Sequence, residues 1–430
     1  MADEIFSTVL DNGLKVSLKE IHTAPIISQW IWYRVGSRDE EDGCRGISHW
    51  VEHMQFKGTP TFPAAVLDKA ISREGGWWNA FTNTDWTTYM EAMPANAIDL
   101  PLRLEADRMV NSVYKEDEVN SERTVVVSEL EGSENDPMYR LSQSVQAASF
   151  DTHPYHYEVI GTKDDLMRIG RDDLYQYYRR HYIPNNAILT LAGDFETNKM
   201  LDRVKRLYND IPAGKLPEHP AKPEPPLRSE RRVDLQGAGD TTFIMVTYRA
   251  PKGNDDDFLA FSVLDSLLSG PAGLNIFGGG GISNKTSRLY RALVEKEYAI
   301  AVGGGLQATI DPSLYDLTIT VNPRRKVKEV IKVLDTEIDR VIQNAVNPTE
   351  VARAIKQARA QFAYGSENIT NQAFWLGYAE MFANYDWFLH YMIRLEQVTP
   401  ADVQRIAQQY LIPSRRVIGV YTPTGEEVSA

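Results

Sequence analysis

Cysteine is nearly absent from this chain: Cys44 stands alone in 430 residues, so no intramolecular disulfide can form. That suits a reducing compartment without demanding one. No apolar run approaches the ~18 residues that a membrane-crossing helix needs. The start, Met-Ala-Asp-Glu-Ile-Phe, lacks the basic segment and apolar stretch of a signal peptide. The expected location is cytoplasmic as the sequence stands, or periplasmic for a chain from which a leader has been trimmed. An excess of basic residues is missing too. The net charge is −13, which argues against nucleic acid, whose phosphates call for clustered Lys and Arg. An acidic surface suits cationic peptides, though most such surfaces only keep proteins dispersed. What the chain does have is length and apolar content, at 43% hydrophobic residues, enough for two or three sizeable cores.

The most informative stretch is His49-Trp50-Val51-Glu52-His53. Two histidines four apart lie on one face of a helix and can grip one ion. Glu52 points to nearly the same side, where a carboxylate can take a proton from water. The pattern is the zinc-hydrolase H-E-x-x-H read backwards. Gly46-Ile47-Ser48 is a helix start, Gly58-Thr59-Pro60 a stop, and Ile47, Trp50, Val51 and Met54 would anchor the helix in a core. A rigid helix of this kind is what a metal site requires.

A catalytic zinc usually takes three protein ligands, so a third is needed from another element. Lys115 to Glu134 reads as a helix in which Glu118, Glu122 and Glu129 fall within roughly 40° of one another. Val125, Val126 and Leu130 among them suggest a stripe bordering buried surface. Periodicity alone fits a solvated acidic face better than a ligand stripe.

The run from Gly46 to Thr59, Gly-Ile-Ser-His-Trp-Val-Glu-His-Met-Gln-Phe-Lys-Gly-Thr, resembles the signature of the pitrilysin and mitochondrial processing peptidase family, the inverted-motif zinc peptidases. Further similar segments are Gly75-Gly-Trp-Trp-Asn-Ala-Phe-Thr82, His153-Pro-Tyr155 and His181-Tyr-Ile-Pro-Asn-Asn186. The resemblance implies that His49, His53 and Glu129 bind one Zn2+ per chain and that Glu52 is the general base. It makes Glu122 an auxiliary catalytic glutamate. It also implies that a peptide substrate pairs as an added strand along Trp78, Asn79, Ala80, Phe81 and Thr82.

The clearest boundary is Pro212 to Pro226, with six prolines in fifteen residues, a composition that holds neither helix nor central strand. The halves on either side look related. Ile169 to Pro184 and Val398 to Pro413 both run helix, proline stop, then strand, at a constant offset of 229. Strand-like stretches (14–18, 27–33, 87–93, 187–192) alternate with helical ones, and 81–86 reads as a tight turn. The expected fold is α+β: two duplicated domains, each a mostly antiparallel sheet with helices packed on one face. The expected division is a catalytic domain at 1–211, a linker at 212–228 and a homologous domain without metal ligands at 229–430.

In the second half the counterpart of the metal helix, Phe258 to Gly270, has no histidine and no glutamate. The family's arginine and tyrosine clamp for substrate carbonyls also departs from pattern: its positions hold Val294 and Ile300 or Ala301, with Arg291 and Tyr298 out of register. The expectation is therefore a catalytic subunit that works with a homologous partner supplying the clamp, or else a homodimer. A non-catalytic scaffolding subunit is the alternative. Three features are read as decoys. Cys44 lies ahead of the helix. His153-Pro-Tyr-His156 has H-x-x-H spacing but no carboxylate cluster. Gly278 to Thr286 resembles a phosphate loop but carries Asn284 where glycine is required.

Overall fold

The computed structural model describes residues 5–216, 218, 223–271, 273–274 and 281–425. Gly278, Gly279 and Gly280 of the glycine-rich stretch and residues 217 and 219–222 of the proline-rich one lie outside these. The chain forms two compact units, each assembled from three stretches. Met1–Glu131, Tyr157–Ala221 and Asn368–Met381 make the first; Gly132–His156, Lys222–Glu367 and Phe382–Ala430 make the second.

Among the described residues, the first unit is built on six strands: β1 (Ile5–Val9), β2 (Lys15–Glu20), β3 (Ile26–Tyr33), β4 (Trp77–Thr82), β5 (Thr87–Pro94) and β6 (Ala187–Gly193). Their order is β1-β2-β6-β3-β5-β4, antiparallel throughout except for β2 beside β6. The described residues of the second unit hold five: β7 (Arg231–Gly237), β8 (Phe243–Ala250), β9 (Ala299–Leu306), β10 (Ser313–Val321) and β11 (Arg416–Pro423). The order here is β7-β11-β8-β10-β9, with β7 and β11 parallel. Strand for strand, β7-β11-β8-β10-β9 repeats β2-β6-β3-β5-β4, including the single parallel pair. The duplication expected from the sequence is thus a duplication of topology.

Helices α1 (Ile47–Gln55), α2 (Ala64–Arg73), α3 (Asp99–Asn111) and α4 (Glu116–Glu134) follow in the first half, then α5 (Pro137–Ser149). Trp50, Val51 and Met54 of α1 are fully buried in one core with Ile27, Ile31 and Tyr33 of β3. Side chains of this size stabilise by about 1.5–3 kcal/mol each when buried.

Helices on one face describe only part of each layer. The other face of β3 carries Trp30 and Trp32, stacked at 5.5 Å. Helix Ile369–Phe382, from far along the chain, covers them with Phe374 and Tyr378. Gly377 is required there, because a Cβ would come within 2.0 Å of the Trp32 indole nitrogen. In the second unit α5 does the same for its sheet: Leu141 and Val145 pack with Val417, Met245 and Tyr421. The central strands of the first sheet are buried on both sides, which is why β3 and β6 read as nearly continuous apolar runs.

Part of the proline-rich stretch is pinned. Glu224 accepts hydrogen bonds from the N–H groups of Asp151, Thr152 and His153 and pairs with Arg249 at 2.9 Å. Among the described residues, no helix is long and apolar enough to cross a membrane.

Candidate metal centre

α1 is short, and its neighbours fix it at several points. Ser48 Oγ lies 2.8 Å from Tyr177 OH. Gln55 Nε2 donates to Tyr114 OH at 2.9 Å, and Ser112 Oγ donates to Gln55 Oε1 at 2.7 Å. α4 docks beside it, with the Arg123 guanidinium 4.7 Å over the Trp50 ring. Val119, Glu122, Val126 and Leu130 form its buried side. Val125, which the pattern groups with that side, is instead exposed at 48%. The buried stripe is narrower than the sequence suggests.

This docking brings His49, His53 and Glu129 together, with one ligand-type atom from each lying within 4.8 Å of the others. His49 Nε2 is 3.8 Å from Glu129 Oε1, and His53 Nε2 is 3.5 Å from Glu129 Oε2. Two atoms bound to a tetrahedral zinc at ~2.1 Å stand about 3.4 Å apart, so the spacing and the donor set, two imidazole nitrogens and a carboxylate, both fit that ion. Cys44 is a free, half-buried thiol outside the cluster.

The two imidazoles are held differently. His53 Nδ1 lies 2.8 Å from Glu122 Oε1, which fixes the ring and leaves Nε2 facing Glu129. His49 Nδ1 is buried without a hydrogen-bond partner. Burial, and then the charge of His53, push the pKa of His49 down to about 3, so its ring is neutral near pH 7, the form a metal requires. At His53 burial opposes protonation, but the bond to Glu122 and the charges of Glu52, Glu122 and Glu129 raise the pKa overall. Glu122 is also buried, yet hydrogen bonds from His53 and Lys57 hold it below the ordinary carboxylate value. Lys57 forms an ion pair with its second oxygen. This lysine was not singled out from the sequence, although it follows His53 by four residues.

Glu52 is buried on the same helix. Thr82 Oγ1 of β4 donates to its Oε2 at 2.6 Å. Burial raises its pKa, and the Thr82 hydrogen bond and the His53 charge pull the other way. β4 is an edge strand, paired on one side with β5. Trp77 and Asn79 are exposed, Ala80 is buried, and Trp78, Phe81 and Thr82 are half-buried. Trp78 packs edge-on against Phe56 at 4.8 Å and donates to Asp68 at 3.2 Å. The Ala80 N–H is held by the carboxamide oxygen of Asn79 at 2.9 Å.

The His153-Pro-Tyr-His156 decoy is absorbed by the second unit. His153 Nε2, just ahead of a short 3-10 turn, is 3.1 Å from Asp311, and His156 Nδ1, at the end of that turn, is 2.9 Å from the Phe150 carbonyl. Val294 ends a π-helical turn, Tyr290–Val294, and Ile300 lies exposed on β9, with Glu297 between them in the left-handed region at φ 57. Arg288 is engaged with Glu350 at 2.7 Å.

Residues 15–163 match the family model described as insulinase (peptidase family M16), and residues 168–358 match the one described as peptidase M16 inactive domain. The chain belongs to the M16 peptidase family. An M16 relative, an uncharacterized zinc protease of Streptomyces coelicolor, is 27% identical over 423 residues, covering 96% of this chain and 89% of its own. The crystal structure of a protease from Helicobacter pylori superposes with a TM-score of 0.89 at 25% identity, over 98% of this chain and all of that one. The periplasmic protease PqqL from Escherichia coli shares the M16 fold at a TM-score of 0.78 and 19% identity; this chain covers 48% of its length.

Proposed function

We propose that this M16 chain is the catalytic subunit of a zinc-dependent endopeptidase acting on peptides or unfolded segments. The observation that carries the reading is the convergence of His49, His53 and Glu129 beside Glu52, on a helix set against an edge strand of a sheet. His49, His53 and Glu129 would hold the ion. When bound, zinc polarises a carbonyl and makes water acidic enough to lose a proton near neutral pH.

The chain's own residues do the rest. Glu52, steadied at Oε2 by Thr82, offers Oε1 to take the proton of the attacking water and hand it to the leaving amine. Burial keeps its affinity for the proton high enough to do both. Glu122 orients His53 through Nδ1 and, with Lys57, keeps a fixed charge beside it. A substrate peptide would add as a strand along β4, Trp78 to Thr82, and Asn79 would release the Ala80 N–H to it. Backbone pairing of this kind gives affinity with little sequence preference.

The working unit is a heterodimer with a homologous chain that supplies the missing clamp and encloses the substrate chamber. Val294 and Ile300, where the family has arginine and tyrosine, favour that reading over a self-sufficient homodimer. The Escherichia coli neighbour of the same fold, about twice as long, supports a unit made of two such chains.

Zinc content measured together with hydrolysis of an unfolded peptide, with and without homologous subunits from the same source, tests all of this. Bound zinc with weak hydrolysis alone and strong hydrolysis in the pair is the expected result. Vigorous cleavage by the chain alone rejects the heterodimer. A zinc-free chain inactive in every pairing makes it a scaffolding subunit.

A further inference from the structure

α1 begins without a side-chain cap. Its N-cap residue, Gly46, has no side chain and sits at φ 93, so the free N–H groups of the first turn need partners from elsewhere. Glu40 supplies two. Its Oε2 accepts from Gly46 N at 2.8 Å and its Oε1 from Ser48 N at 2.9 Å, while the Cys44 carbonyl takes Ile47 N at 3.2 Å.

Glu40 is itself locked in place. It is 3% exposed, its carbonyl accepts from Arg45 Nη1 at 2.8 Å, and its N–H reaches the Ser37 carbonyl at 3.3 Å. Arg45 is tied in turn to Asp42, to Asp165 through its backbone N–H, and to the face of Tyr157 at 3.9 Å. Burial raises the Glu40 pKa, but the geometry, one N–H on each oxygen with Arg45 alongside, is that of the ionised group. A carboxylate is costly to bury, so its two well-made bonds to one helix start call for a reason beyond filling space.

The contrast between the two histidines provides that reason. Glu122 orients His53 through its ring nitrogen, whereas the Nδ1 of His49 has no partner to orient it. The placement of His49 therefore depends on the backbone of the first turn, and the amide pinned by Glu40 belongs to the residue immediately before it. We infer that Glu40 is a positioning residue for the metal centre: its carboxylate fixes where α1 begins and so where His49 stands, an assignment that rests on His49, His53 and Glu129 being the ligands. Glutamine cannot replace it. Its one carbonyl oxygen serves one amide, and its NH2 group would face the other, donor against donor.

The test compares the full chain with Glu40→Gln and Glu40→Asp. Zinc dissociation constants come from chelator competition on protein shown to be folded by circular dichroism, and the visible spectrum of the cobalt-substituted protein reports the ligand geometry. Glu40→Gln should weaken zinc by about 10–100-fold, the usual cost of losing a group that orients a ligand. Its cobalt spectrum should change. Glu40→Asp, shorter but still able to accept from both amides, should fall between it and the wild type in both measurements. Should Glu40→Gln not fold, several-fold weaker zinc binding by Glu40→Asp supports the proposal by itself. Wild-type zinc affinity and an unaltered cobalt spectrum in the folded variants, with only a lower melting temperature, overturn it and reduce Glu40 to a stabilising cap. A wild-type chain that binds no zinc overturns the ligand assignment first, and this proposal with it.

Discussion

The two sheets share one topology and put one helix in the same place, yet use that helix for different ends. In the first unit α1 lies against edge strand β4; in the second, helix Asp256–Leu268 lies against edge strand β9. Counted back from the helix ends, His49, Glu52 and His53 correspond to Ser262, Asp265 and Ser266. A buried carboxylate is therefore present in both copies. In the second it is closed off by the protein: Asp265 Oδ1 accepts from Tyr315 OH at 2.8 Å and from Ser269 Oγ at 2.5 Å. Ser262 and Ser266 donate to the carbonyls of Phe258 and Ala354. Gly304 of β9 sits so close that a Cβ would meet Asp265 at 2.4 Å. In the first copy the same positions carry imidazoles that face Glu129, and the carboxylate bonds a hydroxyl on the edge strand. A frame that can hold a reactive site can equally spend those positions on packing; the side chains decide which.

The sharpest way to break the comparison is to make the first copy resemble the second. Glu52→Gln should keep zinc and lose hydrolysis by about 10²–10⁴-fold, and His53→Ala should lose both. Metal analysis beside a peptide assay reads both outcomes, and substantial turnover by Glu52→Gln would remove the general-base role.

Next in size is the difference between the two glutamates of α4. Glu129→Gln should release zinc. Glu122→Gln should lower turnover more than zinc affinity, because it removes the partner of a ligand and not a ligand. A metal-bound crystal structure with Glu122 or Glu131 coordinating in place of Glu129 would contradict both expectations.

Smaller again is the link from the edge strand to the base. Thr82→Val should lower kcat by roughly 10-fold with little change in KM, in line with the loss of one hydrogen bond to a charged group. Thr82→Ser should restore it. Equal kcat for all three would show that Glu52 needs no help from β4.

The remaining effect belongs to the closed copy and falls on stability, not turnover. Burial raises the pKa of Asp265 from 3.8 to about 6, so the fold favours its protonated form. That contribution is complete below 3.8 and is lost as pH rises through about 6. Asp265→Asn should flatten this dependence and raise stability above that range by about 1–3 kcal/mol, leaving zinc binding unchanged. Urea midpoints measured across pH read the effect, and a variant less stable than wild type at neutral pH would count against it.

Much of this was legible in the residues. The helix around His49 to His53 shows in its start and stop signals and in the apolar positions it buries, and the structure places it at Ile47–Gln55. The strands at 27–33, 87–93 and 187–192 appear as Ile26–Tyr33, Thr87–Pro94 and Ala187–Gly193, because apolar runs between turn residues are a local signal. The acidic stripe of α4 was ambiguous by periodicity, since a solvated face and a ligand face share a period. Only the docking of α4 on α1 separates Glu129, facing two imidazoles, from Glu118, which does not. Glu40 gave no signal. It stands nine residues before His49 among Asp39, Glu41 and Asp42, and nothing in their order says which carboxylate is buried.

The sequence by itself determined which helix carries His49, Glu52 and His53, that the chain is a duplication, and that the matching helix of the second copy has no histidine and no glutamate. These follow from spacing along a helix and from repetition, which are properties of the linear order. Tertiary structure alone decided the rest: that Glu122 orients His53 while His49 depends on its backbone, that Thr82 reaches Glu52, and that helix Ile369–Phe382 covers the Trp30 and Trp32 face of the first sheet. From Ala373 to Phe382 that helix is apolar but for Glu380, so its sequence announces burial but no direction. Which surface it covers depends on the shape and exposed apolar area of the sheet it meets, and neither is written within a few residues of chain.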